Sequence, residues 1–545
     1  MKLSGKIIFV LVFILSNNIT SQNINIFSQS SFRKHIEVLG SDLFEGRGTG
    51  STGGYLAAKY LAQVYSQLNL KPAGDKDTYY QYIPLHASTA LASSSFILYT
   101  GNEQQRLKLN DDYLLYKSGD QTFIPAPVEL VFAGYGIIAP EFDYNDYQTI
   151  ETQGKIVVML EGEPASNDPS YFDGDLPTVY SYPEAKIRTS ISQGAAGTII
   201  IPNIKQNNFY SWENFKKQFV FEDMTLAYSV TGNLGALMNP QTAEKLFLNS
   251  EYDLNYIYEL SEQNKIISFP LETKISFKGE FKRRDFVAPN IIGIVEGSDP
   301  ELKNEFVIVS AHYDHLGIGP AVKGDSIYNG VFDNAAGVSA LLEIASNISK
   351  MKTAPKRSII FLLVTAEEKG LLGSIYYTDH PAVPLYKTAA NINIDGIASF
   401  DRFKSIIGVG SRYSTLKNIL EKTAANNNLI VVPIPPVFKQ TEAFNRSDQI
   451  AFANAGIPSV LVLEAPYFEN LSEEEGLNKI INYEENIYHS PFDDLLQDIN
   501  FEAAAQHINF LYNFIVDVAN ESQAPEWNPD APYINARLRS IAEKR

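Results

Sequence analysis

Two histidines and three carboxylates spread between His312 and His489 have the chemistry to hold two divalent cations. They are His312 in Ser-Ala-His-Tyr-Asp-His, Asp333 in Phe-Asp-Asn-Ala-Ala-Gly, Glu368 in Thr-Ala-Glu-Glu-Lys-Gly, Asp395 in Asn-Ile-Asp-Gly and His489 in Ile-Tyr-His-Ser-Pro. Imidazole nitrogens and carboxylate oxygens are what zinc takes when no thiolate is offered. This chain has no cysteine at all. Two zinc ions bring four positive charges; Asp333, Glu368 and Asp395 bring three negative ones and a bridging hydroxide completes neutrality, with one carboxylate expected to bridge the pair. Asp333 is short and stiff, stands at a helix start, and is the expected bridge. The adjacent Glu367 and Glu368 point to opposite sides of an extended backbone, so one can ligate while Glu367 serves as general base. Asp314 is placed to accept the second N–H of the His312 imidazole, as carboxylates commonly do behind a ligand histidine.

The surrounding pattern says how these residues come together. From about Ala288 onward, strand-like and helical stretches alternate. The strands expected are Asn290–Val295, Phe306–Ser310, Ser358–Val364, Ala390–Ile394, Ser405–Val409 and Ser459–Leu463. Helical stripes run through Val338, Leu341, Leu342, Ala345 and Ile348, through Leu416, Ile419 and Leu420, and through Ala504, Ile508, Leu511, Ile515 and Val518. That alternation predicts an α/β fold with a mostly parallel central sheet flanked by helices. In such folds ligands gather beyond the carboxyl ends of the strands, where His312, the Glu367–Glu368 pair and Asp395 all fall.

Upstream, two helices are expected, one with Phe32, Ile36 and Leu39 and one with Leu56, Tyr60, Leu61, Val64 and Leu68. The glycine-rich run from Glu45 to Gly54 lies between them. It has no preceding strand and no Gly-Lys-Ser ending, so it reads as a flexible turn rather than a phosphate cradle. Residues 127–270 carry short glycine-bounded strands and no histidine, which suggests a separate β-rich domain inserted into the first. The expected organisation is a leader over 1–21, an N-terminal helical segment over 22–126, the insert over 127–270, the metal-binding domain over 271–522 and a tail over 523–545.

Composition narrows the function further. The 545 residues are 45% hydrophobic and 20% charged, an ordinary globular balance for two or three domains. Lys2 and Lys6 precede an apolar stretch from Ile7 to Ser16, which reads as an export signal too short to span a membrane. An extracytoplasmic location, periplasmic or secreted, follows. The formal charge of −19 argues against nucleic acid or an anionic membrane as partner. The densest basic cluster, Lys282-Arg283-Arg284, reads as a solvated turn, and His315 and His380 read as structural or exposed.

On these motifs the chain resembles the co-catalytic di-zinc aminopeptidases, in the branch with a protease-associated domain insert. The resemblance implies that His312 and Asp395 bind one zinc, Glu368 and His489 the other, and Asp333 both. It implies Glu367 as general base and Tyr488, just before the late histidine, as a stabiliser of the tetrahedral oxyanion. It assigns the insert to the protease-associated type. Where relatives show Ser-Asp-His this chain has Ser447-Asp448-Gln449, which leaves the substrate pocket open. The expected activity is removal of N-terminal residues from peptides. A carboxypeptidase or dipeptidase could use the same metal set. Glutaminyl cyclases share the fold with one zinc, and receptor-like proteins share it with none.

Overall fold

The computed structural model describes residues 27–543, apart from 117–121, 167, 169, 175–176, 206–210, 437 and 439–443. The expected leader lies outside the described residues. At the centre is a ten-stranded mixed sheet. Its middle four strands, Ser358–Val364, Phe306–His312, Thr388–Asn393 and Ser459–Glu464, are parallel. Every residue of Ser358–Val364 is buried, as a strand covered on both faces requires, and its Ile-Ile-Phe-Leu-Leu-Val run reflects that. The expected parallel pairing recurs at one edge, between Ser405–Val409 and Ile430–Val431, and builds this middle. Outward from it, Phe281–Val295, Tyr80–Ala90 and Asp223–Leu226 pair antiparallel on one side, and Ser405–Val409 on the other. The reason is connectivity: long strands leaving for the insert and returning from it pair with each other.

Helices cover both faces. Ala336–Ser349 is buried almost all round, packed against the sheet and beneath Gln29–Leu39 and Phe501–Asn520. Phe501–Asn520 is capped by Asn500, whose side chain accepts the Glu502 and Ala503 N–H groups, and it buries Ala504, Ile508, Leu511, Ile515 and Val518 as one stripe.

The insert hangs on a two-stranded stem, Tyr80–Ala90 with Phe281–Val295, in register from Tyr80↔Ile291 to Ala90↔Phe281. Lys282-Arg283-Arg284 therefore lies within a strand rather than in a turn. Arg284 donates to both oxygens of Glu222 and to the Gly50 carbonyl; Glu222 immediately precedes Asp223–Leu226, which pairs with the other side of Tyr80–Ala90. The insert has its own eight-stranded sheet and its own core, including Phe96, Phe132, Val158, Ile199 and Phe277. Strands Ser95–Thr100, Glu103–Leu107 and Tyr113–Leu115 belong to that sheet, so residues 95–115 are strand-rich rather than helical. They escaped the sequence reading because Glu103–Leu107 is a polar edge strand with one buried residue. The insert also carries helices, Pro183–Ser192 and Leu254–Glu262 among them.

Candidate metal centre

Side-by-side strand ends bring the site together. Phe306–His312 pairs in parallel with Ser358–Val364 on one side and Thr388–Asn393 on the other. His312 ends the first strand, Glu367 and Glu368 follow the second, and Asp395 follows the third. Ala366, with φ of 57°, turns the chain sharply before the two glutamates. Asp333 sits in the wide turn Val331–Ala335, and the helix proper begins at Ala336. His489 comes from the segment after helix Glu473–Asn486, in a left-handed conformation at φ 51°.

The five expected ligands converge. His312 Nε2 is 3.1 Å from Asp333 Oδ1 and 3.1 Å from Asp395 Oδ1. His489 Nε2 is 3.0 Å from Glu368 Oε2 and 3.3 Å from Asp333 Oδ2. The two oxygens of Asp333 thus face two different imidazoles, one on each side. Donor atoms of His312, Asp333 and Asp395 lie within 4.8 Å of one another, as do those of His315, Asp333, Glu368 and His489, and those of His312, Glu367 and Glu368. His489 Nε2 is buried yet makes no hydrogen bond of acceptable geometry. A nitrogen held among carboxylate oxygens in that way fits a cation, and the nitrogen–oxygen donor set fits zinc.

Electrostatics follow from the crowding. Burial alone would depress both imidazoles, but the facing carboxylates outweigh it. Asp395 and Glu367 hold His312 well above its usual value, and Glu368 with Asp333 brings His489 to about 10. Burial would raise Asp333 and Glu368, yet the histidines keep both carboxylates well below their usual range. Glu367 behaves oppositely. Burial, reinforced by the charges of Asp448, Glu368 and Asp395, pushes it well above the ordinary glutamate value, the direction a proton-accepting base needs.

Asp314 plays a different part from the one its spacing suggested. Its backbone carbonyl, not its carboxylate, lies 3.1 Å from His312 Nδ1; the carboxylate is 4.0 Å away. The carboxylate is engaged elsewhere. Oδ1 accepts the Glu367 N–H at 3.1 Å and Oδ2 accepts the Thr49 hydroxyl at 3.0 Å.

Several residues at the site escaped the sequence reading. His315, expected to be structural or exposed, is fully buried with Nδ1 2.6 Å from Glu368 Oε1. A Cβ on Gly330, at φ 60°, would lie 2.1 Å from the Asp333 carbonyl and 2.5 Å from the His315 ring, so that close approach demands glycine. Asp493 accepts the Phe332 and Asp333 N–H groups at 2.9 and 3.0 Å. Asn334 Oδ1 accepts from Gly337 and Gly396, and its amide donates to the Ile394 carbonyl, tying the Asp333 turn to the Asp395 loop. The one available signal was spacing: His315 is three residues after His312, and Asp493 four after His489. His380 is exposed and stacks on Tyr376.

Tyr488 stacks on His489, with ring centroids 3.8 Å apart and planes 20° apart. Burial, with the charge of Asp333, raises its hydroxyl well above the usual tyrosine value and keeps it a proton donor. In the Ser-Asp-Gln segment, Ser447 Oγ and Gln449 Oε1 both accept from Asn393, two residues before Asp395. Asp448 is fully buried beside the site, and burial pushes its carboxyl up to about 7.

Comparison with known proteins agrees with this fold. Over 294 residues the chain is 26% identical to a probable leucine aminopeptidase 2 of Aspergillus oryzae, covering 51% of this chain and 53% of that one. It is 35% identical over 113 residues to aminopeptidase YwaD of Bacillus subtilis, 20% of this chain and 22% of that one. The chain thus spans about half the length, or less, of these curated relatives. A solved aminopeptidase from Aneurinibacillus sp. strain AM-1 superposes with a TM-score of 0.52 over 92% of this chain and 95% of that one; at 17% identity this is a likeness of fold. Residues 290–515, which hold every strand end of the site, match the model of peptidase family M28.

Proposed function

We propose that this protein is an exported zinc-dependent exopeptidase that removes residues from the amino end of peptides. One observation carries the reading: Asp333 presents one oxygen to His312 and the other to His489. That arrangement supports His312 and Asp395 as ligands of one zinc, Glu368 and His489 as ligands of a second, and Asp333 as the bridge. When bound, such a pair polarises the scissile carbonyl and makes water a nucleophile at neutral pH. Glu367, buried with a raised pKa, takes the proton of the attacking water and passes it to the leaving amine. Tyr488, kept protonated, donates to the oxyanion as charge develops. Asp314 holds the Glu367 backbone by accepting its N–H.

Export is supported by Lys2, Lys6 and the apolar stretch after them. Among the described residues no helix is long and apolar enough to cross a membrane. The insert, with its separate sheet and core, is read as the protease-associated domain.

Metal analysis and a peptide panel test the proposal together. Two zinc ions per chain are expected, with cleavage of free-amine peptides and none of their N-acetylated counterparts. Cleavage confined to N-acetylated peptides would replace the aminopeptidase reading with a carboxypeptidase. One zinc per chain would reopen cyclisation, and neither zinc nor cleavage would favour a binding role.

A further inference from the structure

The glycine-rich run between the first two helices is not a free turn. Arg47 is fully buried, and Gly48 forms an isolated bridge with His315. Arg47 Nε donates to the Tyr313 carbonyl at 2.8 Å, Nη1 to Leu39 at 2.8 Å and to Asn329 at 2.5 Å, and Nη2 to Gly330 at 2.8 Å. All its hydrogen bonds among the described residues go to backbone carbonyls and none to a carboxylate. Two residues on, Thr49 donates to Asp314 Oδ2, whose other oxygen holds the Glu367 N–H.

The addresses of these bonds are specific. Tyr313 lies between His312 and the Asp314 carbonyl that meets the His312 ring. Asn329 and Gly330 immediately precede the turn that carries Asp333. A planar guanidinium is a rigid fork, so bonds from three of its edges set the separation of the two loops it joins. Burial disfavours the guanidinium's charge, and the nearby carboxylates of Asp493, Asp333, Asp314 and Glu368 favour it, yet its hydrogen bonds go to loop carbonyls rather than to any of them, so what it fixes is the geometry of those loops.

We infer that Arg47 is a positioning residue of the metal centre, setting His312 against Asp333, and that Thr49 does the same for Glu367 through Asp314. The inference rests on the metal-site assignment proposed above. It gives the N-terminal segment a share in the site although that segment supplies no ligand.

Arg47→Lys keeps the charge and loses the fork. Competition against a zinc chelator on the folded variant, with its thermal midpoint measured in parallel, should show zinc affinity reduced about 10- to 100-fold. A folded Arg47→Lys protein with unchanged zinc affinity would overturn the inference, because a mere folding strut alters stability without altering affinity in the folded molecule. Should that variant fail to fold, Thr49→Val removes one hydroxyl at nearly constant volume. Its kcat should fall about tenfold while KM and zinc content stay as in wild type. Unchanged kcat would overturn the Thr49 role. Wild-type protein that takes up no zinc is a different failure: it would overturn the function proposal itself, and the clamp with it.

Discussion

Asp493 holds the backbone of Asp333: its two carboxylate oxygens accept the N–H groups of Phe332 and Asp333 at 2.9 and 3.0 Å. The turn bearing the expected bridging ligand is thereby fastened to the segment bearing His489, four residues earlier in the chain than Asp493. Asp493→Asn would present one oxygen and one donating NH2 to two N–H groups, leaving a buried donor unpaired. Apo protein should lose about 1–3 kcal/mol of stability, read from denaturant unfolding. Zinc affinity should fall by about one to two orders of magnitude. Wild-type affinity in this variant would show that the Asp333 turn keeps its shape without the clamp.

Glu367→Gln is nearly isosteric and leaves the proposed zinc ligands untouched. Zinc content should stay at the wild-type level while kcat falls about 10²- to 10⁴-fold. Retained zinc with undiminished turnover would remove Glu367 from the role of base.

His315 Nδ1 lies 2.6 Å from Glu368 Oε1 and 3.9 Å from Asp333 Oδ2, the Asp333 oxygen that faces His489 rather than His312. Replacing it by alanine should therefore loosen one zinc and spare the other. A metal titration should resolve one site weakened about 10- to 100-fold and one unchanged. Equal weakening of both sites would mean that His315 acts on the whole fold, not on Glu368.

His507 predicts a pH dependence separate from the metal. Its Nδ1 accepts the Ala398 N–H at 3.1 Å, and burial lowers its pKa from 6.5 to about 4. As pH falls from 6.5 towards 4, the unfolded chain takes a proton that the folded chain refuses, so stability is lost in that window. Glu464, 4.0 Å away, pulls the other way: burial raises its carboxyl to about 7, so its share of stability grows as pH falls through that value. Comparison with His507→Asn, which keeps an acceptor for Ala398, isolates the histidine. Relative to that variant, wild type should lose up to about 3 kcal/mol between pH 6.5 and 4. A pH-independent difference in unfolding free energy would show that His507 titrates alike in both states.

Much of the fold was legible because burial writes itself into composition. Strands such as Ser358–Val364, covered on both faces, must be apolar throughout, and helices such as Phe501–Asn520 must carry one stripe. Edge strands obey neither rule. Glu103–Leu107 therefore passed unnoticed, while the antiparallel flanks of the main sheet depend on where long strands return.

The candidate site divides along the same line. Residue type and position after a strand were enough to nominate His312, Glu368 and Asp395, with Asp333 nominated at a helix start and His489 by its residue type, since few side chains offer imidazole nitrogen or carboxylate oxygen at such places. What braces them was not legible. Arg47, His315 and Asp493 look in sequence like any polar residues, because a hydrogen bond is defined by its partner, and their partners lie up to 283 residues away. Sequence by itself determined which atoms could meet a metal. Only tertiary structure decided that Asp333 turns one oxygen to each histidine, and that a buried arginine from the far end of the chain holds it there.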